Sequence, residues 1–293
     1  MAIRTGTPDA DTLTGTNFAD TINGGAGNDS LIGRDGDDFI NGGSDDDTIY
    51  GGAGNDRIID GSGLDSLFGG DGIDTFERDW GTLPATTFVL DLNFILGIQG
   101  ALGGTSDDAD RFSGIENYTC FGLIGGRFTG NDVANVIRSD LGTDTLLGNG
   151  GDDQLFAGGA RDRLFGGDGN DALHGGAGRD VLTGGAGNDQ FHFEARAEGV
   201  DKITDFSAQG VGNNDAVYLT ASAFGGLALG QLAAGRFVAR ADNLAQDAGD
   251  RFIFDTVNAD LWYDSNGSAA GGLTQLADLQ AGATMTAADI FLI

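Results

Sequence analysis

Hydrophobic residues recur at every ninth position along two stretches of the chain, with glycine and polar residues between them. The first stretch, 6–77, divides into eight nonapeptide repeats, and the second, 130–192, divides into seven; the block 24–32, GGAGNDSLI, shows the full form Gly-Gly-x-Gly-x-Asp-x-apolar-x. Positions 7 to 9 alternate polar, apolar, polar, which predicts one short strand per repeat. The residues at position 8 are Leu13, Ile22, Leu31, Ile40, Ile49, Ile58, Leu67 and Phe76, then Ile137, Leu146, Leu155, Leu164, Leu173, Leu182 and Phe191.

One apolar side chain per repeat cannot build a core within that repeat. Stacking the strands of successive coils solves this problem, because position 8 then forms a continuous buried ladder of Leu, Ile and Phe. Sequence rich in glycine and aspartate is often disordered, but a disordered linker has no reason to place an aliphatic residue at every ninth position. The pattern therefore predicts an all-β solenoid in two blocks.

Position 6 carries an acidic residue with almost the same regularity. Glycines at positions 1, 2 and 4 permit backbone conformations that other residues avoid, and they let carbonyl oxygens turn toward one point. Carboxylate and carbonyl oxygens together suit a hard cation that accepts six or more ligands, which indicates calcium. The residues at position 6 are Asp11, Asp20, Asp29, Asp38, Asp47, Asp56, Asp65 and Asp74, then Asn135, Asp144, Asp153, Asp162, Asp171, Asp180 and Asp189.

The nonapeptide resembles the calcium-binding repeat of RTX proteins, also called hemolysin-type proteins. This resemblance implies a parallel β-roll in which two repeats make one coil, so that each repeat stacks on the one eighteen residues later. It also implies that each calcium ion lies between two stacked turns. The earlier turn would supply the carbonyls of positions 2 and 4 and its aspartate, and the later turn the carbonyls of positions 1 and 3 and its own aspartate.

Carried onto this chain, the resemblance implies a set of paired ligands, with Asp20 as a further ligand. In the first block the pairs are Gly25, Gly27 and Asp29 with Gly42, Ser44 and Asp47; Arg34, Gly36 and Asp38 with Gly51, Ala53 and Asp56; Gly43, Asp45 and Asp47 with Asp60, Ser62 and Asp65; and Gly52, Gly54 and Asp56 with Gly69, Asp71 and Asp74. In the second block they are Asp140, Gly142 and Asp144 with Ala157, Gly159 and Asp162; Asn149, Gly151 and Asp153 with Gly166, Asp168 and Asp171; Gly158, Ala160 and Asp162 with Gly175, Ala177 and Asp180; and Gly167, Gly169 and Asp171 with Gly184, Ala186 and Asp189.

The number of sites has an upper limit, because eight repeats allow six stacked pairs and seven allow five, which makes eleven. Repeats 6–14 and 15–23 lack glycine at positions 2 and 4, and repeat 130–138 has Val133 at position 4 and Asn135 at position 6. We therefore expect weak or empty sites at these leading ends and roughly eight good calcium sites elsewhere.

The chain of 293 residues carries a formal net charge of −30. Carboxylates crowded on two edges of a roll repel one another, and eleven calcium ions would bring the charge to about −8. We expect calcium binding and folding to be one event, with a disordered chain in the cytosol and a folded one outside the cell, where calcium modules bind with Kd of about 10⁻⁴–10⁻³ M. The acidic balance argues against nucleic-acid binding. The sequence has no apolar run of about 18 residues, so no membrane span is expected.

Two further features bear on compartment. Cys120 is the one cysteine, so no intramolecular disulfide is expected, and we predict that it behaves as a buried small hydrophobe. The segment 1–17 lacks the apolar core and cleavage site of a Sec signal peptide. Export would have to be encoded elsewhere in the chain.

The segment 78–129 interrupts the nine-residue period. It contains the alternating, strand-like stretch 86–96 and a GIEN sequence at 114–117, which resembles the irregular coils between repeat blocks of RTX proteins. We interpret it as a widened part of one solenoid. The alternative is an inserted unit with its own binding role, in which Trp80 and the run 92–98 would form an exposed apolar patch.

The sequence thus divides into a first block, 1–77, the irregular segment 78–129, a second block, 130–192, and a C-terminal region, 193–293. Strand-like pieces recur at 200–206, 216–219, 251–254 and 261–263. The pieces DKITDF, DRFIFD and LWYDSNG resemble the C-terminal region of serralysin-type secreted proteins, and the ending TAADIFLI, in which Asp289 precedes four apolar residues, resembles their uncleaved type I secretion signal. Asp264, Asn266 and Ser268 have the opening spacing of an EF-hand loop, but the later ligands are missing and a β-turn is expected.

The sequence predicts no enzyme. It contains neither the HExxH motif of zinc proteases nor the GxSxG motif of lipases. Its two histidines, His174 and His192, both fall at position 9 of a repeat and are expected to point outward. Pairs of aspartates are explained by calcium ligation rather than by acid–base catalysis.

Three functions compete for such a chain, which resembles an RTX protein without an enzymatic passenger. The leading hypothesis is a protein secreted by the type I apparatus of a Gram-negative bacterium that folds on extracellular calcium and acts at the cell surface or in the matrix, in biofilm or adhesion. The second is a membrane-active, pore-forming protein, for which the segment 88–98 is a weak candidate. The third is a carbohydrate-binding module that would use the basic residues Arg57, Arg161, Arg163 and Arg179.

Overall fold

A computed structural model describes most of the chain. The described residues are 1–61, 63, 65–79, 89–93, 101–102, 111–113, 117–121, 127–196, 198–208, 214–241, 249–267 and 272–293. The chain folds as two compact lobes, an N-terminal lobe, Met1–Asp144, and a C-terminal lobe, Thr145–Ile293. The division of the sequence at 77, 129 and 192 stays a prediction.

The described part of the N-terminal lobe consists of short strands. They are β1 (Ile3–Thr5), β2 (Thr12–Thr14), β3 (Thr21–Ala26), β4 (Ser30–Asp35), β5 (Phe39–Ser44), β6 (Thr48–Ala53), β7 (Arg57–Asp60), β8 (Ser66–Asp71), β9 (Thr75–Asp79), β10 (Val89–Asn93), β11 (Ala101–Leu102), β12 (Arg111–Ser113), β13 (Asn117–Phe121), β14 (Arg127–Thr129) and β15 (Val136–Arg138).

Alternate repeats of this lobe enter opposite sheets. One sheet has the strand order β1-β3-β5-β7-β9-β13-β15, a second has the order β12-β8-β6-β4-β2, and β10 pairs with β11 and β14. The repeat strands are parallel, and each residue faces the residue eighteen positions later, as Ile22 faces Ile40 and Leu31 faces Ile49. The register implied by the resemblance is therefore confirmed, as is the prediction of an all-β, parallel β-roll.

The C-terminal lobe continues with strands and two 3₁₀ helices in its described part. Its strands are β16 (Thr145–Gly150), β17 (Gln154–Phe156), β18 (Gly159–Ala160), β19 (Arg163–Asp168), β20 (Ala172–His174), β21 (Ala177–Gly178), β22 (Val181–Ala186), β23 (Gln190–Phe193), β24 (Asp201–Ile203), β25 (Ala216–Leu219), β26 (Gly230–Gln231), β27 (Phe237–Arg240), β28 (Phe252–Asp255), β29 (Asp260–Asp264), β30 (Leu273–Leu279) and β31 (Ile290–Leu292). The 3₁₀ helices span Ala234–Arg236 and Ala287–Asp289.

The sheets of this lobe extend past the last repeat. One has the order β17-β20-β23-β25-β31-β26, the other has the order β16-β19-β22-β24-β30-β29-β28-β27, and β18 pairs with β21. The strands β28, β29 and β30 are antiparallel neighbours. The four strand-like pieces predicted after the repeats are confirmed, since they coincide with β24, β25, β28 and β29.

In the repeats of both lobes, the core is the predicted ladder at position 8. All fourteen members from Ile22 to Phe191, including Ile137, are at most 1% exposed. Leu13, in the first repeat, is half-buried. Each of these side chains packs between the position-8 residues of the neighbouring coils. Its burial stabilises the fold by about 1.5–3 kcal/mol.

The strands exceed the predicted length of three residues in the repeats that carry the fullest motif. Strand β3, for example, runs from position 7 of one repeat to position 3 of the next, and Gly25 and Ala26 pair with Gly43 and Ser44. The glycines belong to the ladder as well as to the turn, because their backbone groups find partners in the stacked repeat. The prediction that the strand is confined to positions 7 to 9 was therefore wrong for these repeats.

Several predictions concern residues outside the described part. Ser62, Ser268 and Trp80 lie there, as does most of the run 92–98. Cys120 lies in β13, but its side chain is also outside the described part. The interpretations of 78–129 as widened solenoid or as inserted unit both stay predictions.

Candidate metal centre

The aspartates at position 6 form two buried, hydrogen-bonded columns in each lobe, one for each set of alternate repeats. From Asp20 to Asp189 they are at most 3% exposed. The amide N–H of one aspartate donates to Oδ1 of the aspartate eighteen residues later over 2.7–3.0 Å, in nine such pairs from Asp11–Asp29 to Asp171–Asp189. Each Oδ1 is thus satisfied by backbone, and the second oxygen is left for another partner.

In seven of these aspartates the second oxygen, Oδ2, accepts no hydrogen bond from any described residue. It is nevertheless shielded from solvent, and a buried carboxylate oxygen without a partner costs free energy that native proteins avoid. The orphaned position therefore indicates a ligand. The aspartates are Asp29, Asp38, Asp47, Asp56, Asp171, Asp180 and Asp189.

The orphaned oxygens share their position with backbone carbonyls of the stacked repeat. A methyl carbon added to Gly24, at position 1, would collide with Asp29 Oδ2 and lie 2.5 Å from the carbonyl oxygen of Gly42. The same holds at Gly166, where the added carbon would collide with Asp171 Oδ2 and lie 2.5 Å from the oxygen of Gly184. The carboxylate and the position-1 carbonyl therefore face one point.

Carbonyls at positions 2 and 4 face the same gap from the other side. A methyl carbon on Gly43 would collide with the oxygen of Gly25, and one on Gly72 with the oxygen of Gly54. These carbonyls point toward the repeat eighteen residues later. The requirement for glycine at positions 2 and 4 follows, because those carbonyls leave no room for a Cβ and φ there is positive, +111° at Gly43.

The carbonyl at position 3 completes the arrangement by pointing backward. The Gly36 N–H donates to the oxygen of Ala53 over 2.7 Å, and the Gly169 N–H donates to the oxygen of Ala186 over 2.8 Å. A carbonyl oxygen has two lone pairs, so this hydrogen bond leaves it able to ligate a cation.

The donor set fits calcium. It consists of carboxylate and carbonyl oxygens with neither nitrogen nor sulfur, which is the chemistry of a hard cation with six or more ligands. The structure stacks the predicted pairs beginning at residues 25, 34 and 52 in the N-terminal lobe and at 149, 158 and 167 in the C-terminal lobe. The pair with Ser62 and the pair that joins 139–147 to 157–165 stay predictions.

Burial changes the acidity of these carboxyl groups. It raises the pKa of Asp47 and of Asp189 to about 7, and neighbouring aspartates add to the shift. Burial likewise raises the pKa of Asp38 and of Asp171 to about 6. Burial and neighbouring negative charges therefore destabilise the ionised form of these carboxyl groups. A divalent cation bound between them would stabilise the ionised form.

In the leading repeats, the residue at position 2 donates a hydrogen bond to the side chain at position 6. In repeat 6–14 the Thr7 hydroxyl donates to Asp11 Oδ2 over 2.9 Å, and in repeat 15–23 the Thr16 hydroxyl donates to Asp20 Oδ2 over 2.8 Å. In repeat 130–138 the Asn131 N–H donates to Asn135 Oδ1 over 2.8 Å. The residue at position 2 thus donates a hydrogen bond to the side chain that, in the other repeats, has an oxygen without a hydrogen-bond partner. This supports the expected weakness of the leading sites and makes Asp20 a poorer ligand than its neighbours.

A second set of hydrogen bonds links residues at position 5, which is variable in the nonapeptide pattern. The Asp37 carboxylate accepts from the Asn55 N–H, and the Asn55 carboxamide accepts from the Ile73 N–H. In the C-terminal lobe the Asn188 N–H donates to Asn170 Oδ1 over 3.0 Å. The signal was present in the sequence as a preference for Asn and Asp at position 5, but its role depends on the eighteen-residue stacking.

The two histidines and Arg57 make side-chain contacts with neighbouring residues. His174 and His192 stack with ring centroids 4.0 Å apart, within a row that also contains Phe156, Tyr218 and Phe291. These rings cover one another's faces. Arg57, a candidate for glycan contact, pairs with Glu77 and lies over the Phe39 ring.

Comparison with known proteins identifies the repeats. The family of the RTX calcium-binding nonapeptide repeat matches four segments, 5–40, 41–76, 129–164 and 156–191, which fall on both stretches. The chain therefore contains RTX calcium-binding repeats, and the resemblance drawn from the nonapeptide is confirmed for them. No curated protein sequence matches the chain.

Among solved structures, the chain is similar to the extracellular lipase LipA from Serratia marcescens. The sequences are 19% identical and the TM-score is 0.24; the match covers 96% of this chain and 40% of the lipase. The chain thus spans less than half the length of that protein.

Proposed function

We propose that this protein is a calcium-dependent extracellular scaffold. It leaves a Gram-negative cell unfolded through a type I secretion apparatus, folds when it meets extracellular calcium, and then acts at the cell surface or in the matrix. The observation that carries this proposal is the set of buried, orphaned Oδ2 atoms, such as those of Asp29 and Asp171, which face carbonyl oxygens of the stacked repeat.

Calcium supplies charge compensation in this account. The chain carries −30, and its aspartates at position 6 are buried between the stacked coils. Each bound ion would draw the two stacked turns together, because it takes ligands from both. Binding and folding are then linked, and the folded fraction depends on calcium concentration.

The C-terminal motif supports export before folding. Asp289 is 2% exposed and accepts hydrogen bonds from the Thr286 amide and hydroxyl, while β31 pairs with β25. An export apparatus that reads this motif would reach it only in the unfolded chain. Low intracellular calcium would keep the chain in that state.

A scaffold role, rather than catalysis, agrees with the surroundings of the two histidines. His174 Nδ1 lies 3.1 Å from Glu194 Oε1, and His192 Nε2 lies 3.3 Å from Gln190 Oε1. Burial lowers the pKa of His192 to about 4, so it is neutral at pH 7. Both rings are used within the aromatic row. No helix in the described residues is long and apolar enough to cross a membrane.

The location of the protein tests the proposal. A culture of the producing strain is separated into cells, matrix and medium, with and without EGTA, and each fraction is blotted for the protein. Retention on cells or matrix in calcium, with release by EGTA, is the expected result. Protein that stays in the medium under both conditions contradicts surface action. Liposome leakage and glycan binding would then examine the pore-forming and carbohydrate-binding alternatives.

A further inference from the structure

Four exposed basic side chains lie close together on the C-terminal lobe, and we call them the basic patch. Arg163 begins β19 and faces Val181 in β22, which in turn faces Lys202 in β24. Arg161 and Arg179 lie at position 5 of the turns that lead into β19 and β22. The basic patch therefore runs along one sheet and the turns at its edge: Arg161, Arg163, Arg179 and Lys202.

The charges of the basic patch are not neutralised within the part of the chain that the structure describes. None of its four side chains forms a hydrogen bond or an ion pair there, whereas Arg57 pairs with Glu77. In the alternate turns, which lead into β17, β20 and β23, position 5 carries Asp152, Asn170 and Asn188. A positive patch on a chain of net charge −30 favours a negatively charged partner.

An aromatic side chain lies beside the basic patch. Phe165 is 36% exposed and follows Arg163 by two residues in β19, so both side chains point to the outer face of the sheet. On the neighbouring strands the hydroxyl groups of Thr183 and Thr204 lie 2.7 Å apart. The surface thus combines positive charge with an apolar ring, as the interfaces of proteins do.

The N-terminal lobe carries a set of exposed carboxylates on its own repeats. Asp35 ends β4 and faces Ala53 in β6, which in turn faces Asp71 in β8. Asp35 and Asp71 are both exposed, and their carboxylates have no hydrogen-bond or ion-pair partner among the residues with described positions. We call them the acidic pair. Asp37 adds a third exposed carboxylate nearby, against one exposed basic residue, Arg34.

An aromatic residue also lies beside the acidic pair. Tyr50, in β6 between the strands of Asp35 and Asp71, is 43% exposed, and its ring stacks on Phe68 with centroids 4.7 Å apart. The two surfaces therefore have opposite charge, and each has an exposed aromatic ring next to its charges.

The spacing of the charges matches between the two surfaces. Arg163 and Lys202 lie two strands apart, and so do Asp35 and Asp71, so each pair spans about 10 Å. Both surfaces are built from stacked coils with the same rise, so two basic groups of one copy can lie opposite two acidic groups of another. DNA, with one charge per about 1.7 Å, would also repel the acidic remainder of the chain.

We propose that the basic patch binds the acidic pair of a second copy of this chain, with Phe165 and Tyr50 at the same interface. The two surfaces differ, so the contact is heterologous and one copy can bind two others. The inference deepens the proposed function and rests on it, because bound calcium would lower the negative charge of each copy and hence the repulsion between copies. Association should therefore require calcium.

Sedimentation velocity of the full-length protein in calcium tests the proposal. The sedimentation coefficient should rise with protein concentration at low salt and return to the monomer value at about 1 M salt, where charges are screened beyond about 3 Å. Arg163→Glu/Lys202→Glu places like charges opposite each other and should raise the Kd of association at least about a hundredfold, as should Asp35→Lys/Asp71→Lys. Arg4→Glu, at an exposed site outside both surfaces, is the control and should still associate.

Mixing the two charge-reversed proteins gives the sharpest result. Each should be monomeric alone, and the equimolar mixture should associate because opposite charges meet again. Should Arg163→Glu/Lys202→Glu lose its β signal in circular dichroism, Arg161→Glu/Arg179→Glu takes its place in the same mixture. A mixture that stays monomeric, or a reversed protein that associates like the unchanged one, overturns the contact.

Other outcomes separate this inference from the proposed function. An unchanged protein that gains β signal with calcium but stays monomeric overturns the contact and leaves the calcium-dependent fold. A monomer that binds hyaluronate, DNA or phosphatidylglycerol vesicles through Arg163 and Lys202 overturns the second copy as the partner. A β signal that does not respond to calcium overturns the proposed function instead, and with it the calcium requirement of association.

Discussion

The amide N–H of Asp29 donates a 2.8 Å hydrogen bond to Oδ1 of Asp47, the residue at the same position of the repeat stacked on it. This contact gives the two oxygens of the Asp47 carboxyl group different surroundings. One oxygen fixes the stacking of the coils, and the other, Oδ2, is left facing the carbonyls of the next turn. The aspartate therefore has a structural role through Oδ1, and the proposed function gives it a second role, as a calcium ligand, through Oδ2.

Replacing Asp47 by Asn separates the two roles. The amide oxygen of Asn can still accept from the Asp29 N–H, but the negative charge and the second carboxylate oxygen are lost. We expect the calcium concentration at the folding midpoint to rise about tenfold or more, since contacts to charged groups contribute about 1.5–3 kcal/mol. The exposed Asp35→Asn is the control and should leave the midpoint in place. An unchanged midpoint in Asp47→Asn would show that this carboxylate is not a ligand.

Without calcium, the stability of the folded state should fall as pH rises from 4 to 7. An aspartate in the unfolded chain has a pKa of about 3.9, whereas the folded pKa is about 7 for Asp47 and Asp189 and about 6 for Asp38 and Asp171. The folded state binds more protons between pH 4 and 7, so its stability without calcium falls as pH rises through that window.

Far-ultraviolet circular dichroism in calcium-depleted buffer at pH 5 and pH 7.5 measures this effect, and more β structure is expected at pH 5. Calcium binding needs the deprotonated groups, so the calcium midpoint should be higher at pH 5. Equal midpoints at the two pH values would contradict the assignment of these aspartates as ligands.

The hydrogen bond in the leading repeat predicts a calcium-independent effect. Thr16→Val removes the hydroxyl that donates to Asp20 Oδ2 and leaves a buried carboxylate oxygen with one fewer donor. We expect a loss of about 1 kcal/mol in unfolding free energy with no change in the number of bound ions. Thr16→Ser keeps the hydroxyl and should behave like the unchanged protein. Loss of a calcium ion in Thr16→Val would mean that this repeat binds calcium.

Relief of backbone strain should stabilise the C-terminal lobe. Ala160, at position 4 of its repeat, has φ of +101°, a conformation that favours glycine. Ala160→Gly should raise the unfolding free energy in calcium by about 1 kcal/mol, measured by thermal denaturation. Ala172→Gly, in the ordinary strand β20, should lower stability by about 0.5–1 kcal/mol. A destabilised Ala160→Gly would contradict the strain.

Much of the fold could be predicted from the sequence, because the nine-residue period is carried by side chains that the fold buries. The position-8 ladder and the aspartate columns follow from Leu31 and Asp29 and their equivalents. The eighteen-residue register came from the resemblance, since the period alone does not say how many repeats make a coil.

Other features depend on contacts that a sequence does not display. The hydrogen bonds of Thr16 and Asn55 require the position of one side chain relative to another turn. The continuation of the stack to Asp201 escaped notice because three inserted residues break the period, although the hydrogen-bond pattern survives. Periodic patterns reveal equal steps and miss unequal ones.

The most direct test of the account is a calcium titration of the full-length protein at pH 7.5, followed by far-ultraviolet circular dichroism, with magnesium as the control ion. The account predicts a disordered spectrum in EGTA and a cooperative gain of β signal as calcium approaches the millimolar range. Magnesium at the same concentration should not replace it. A β-rich spectrum in EGTA that calcium leaves unchanged would contradict the claim that calcium binding and folding are one event.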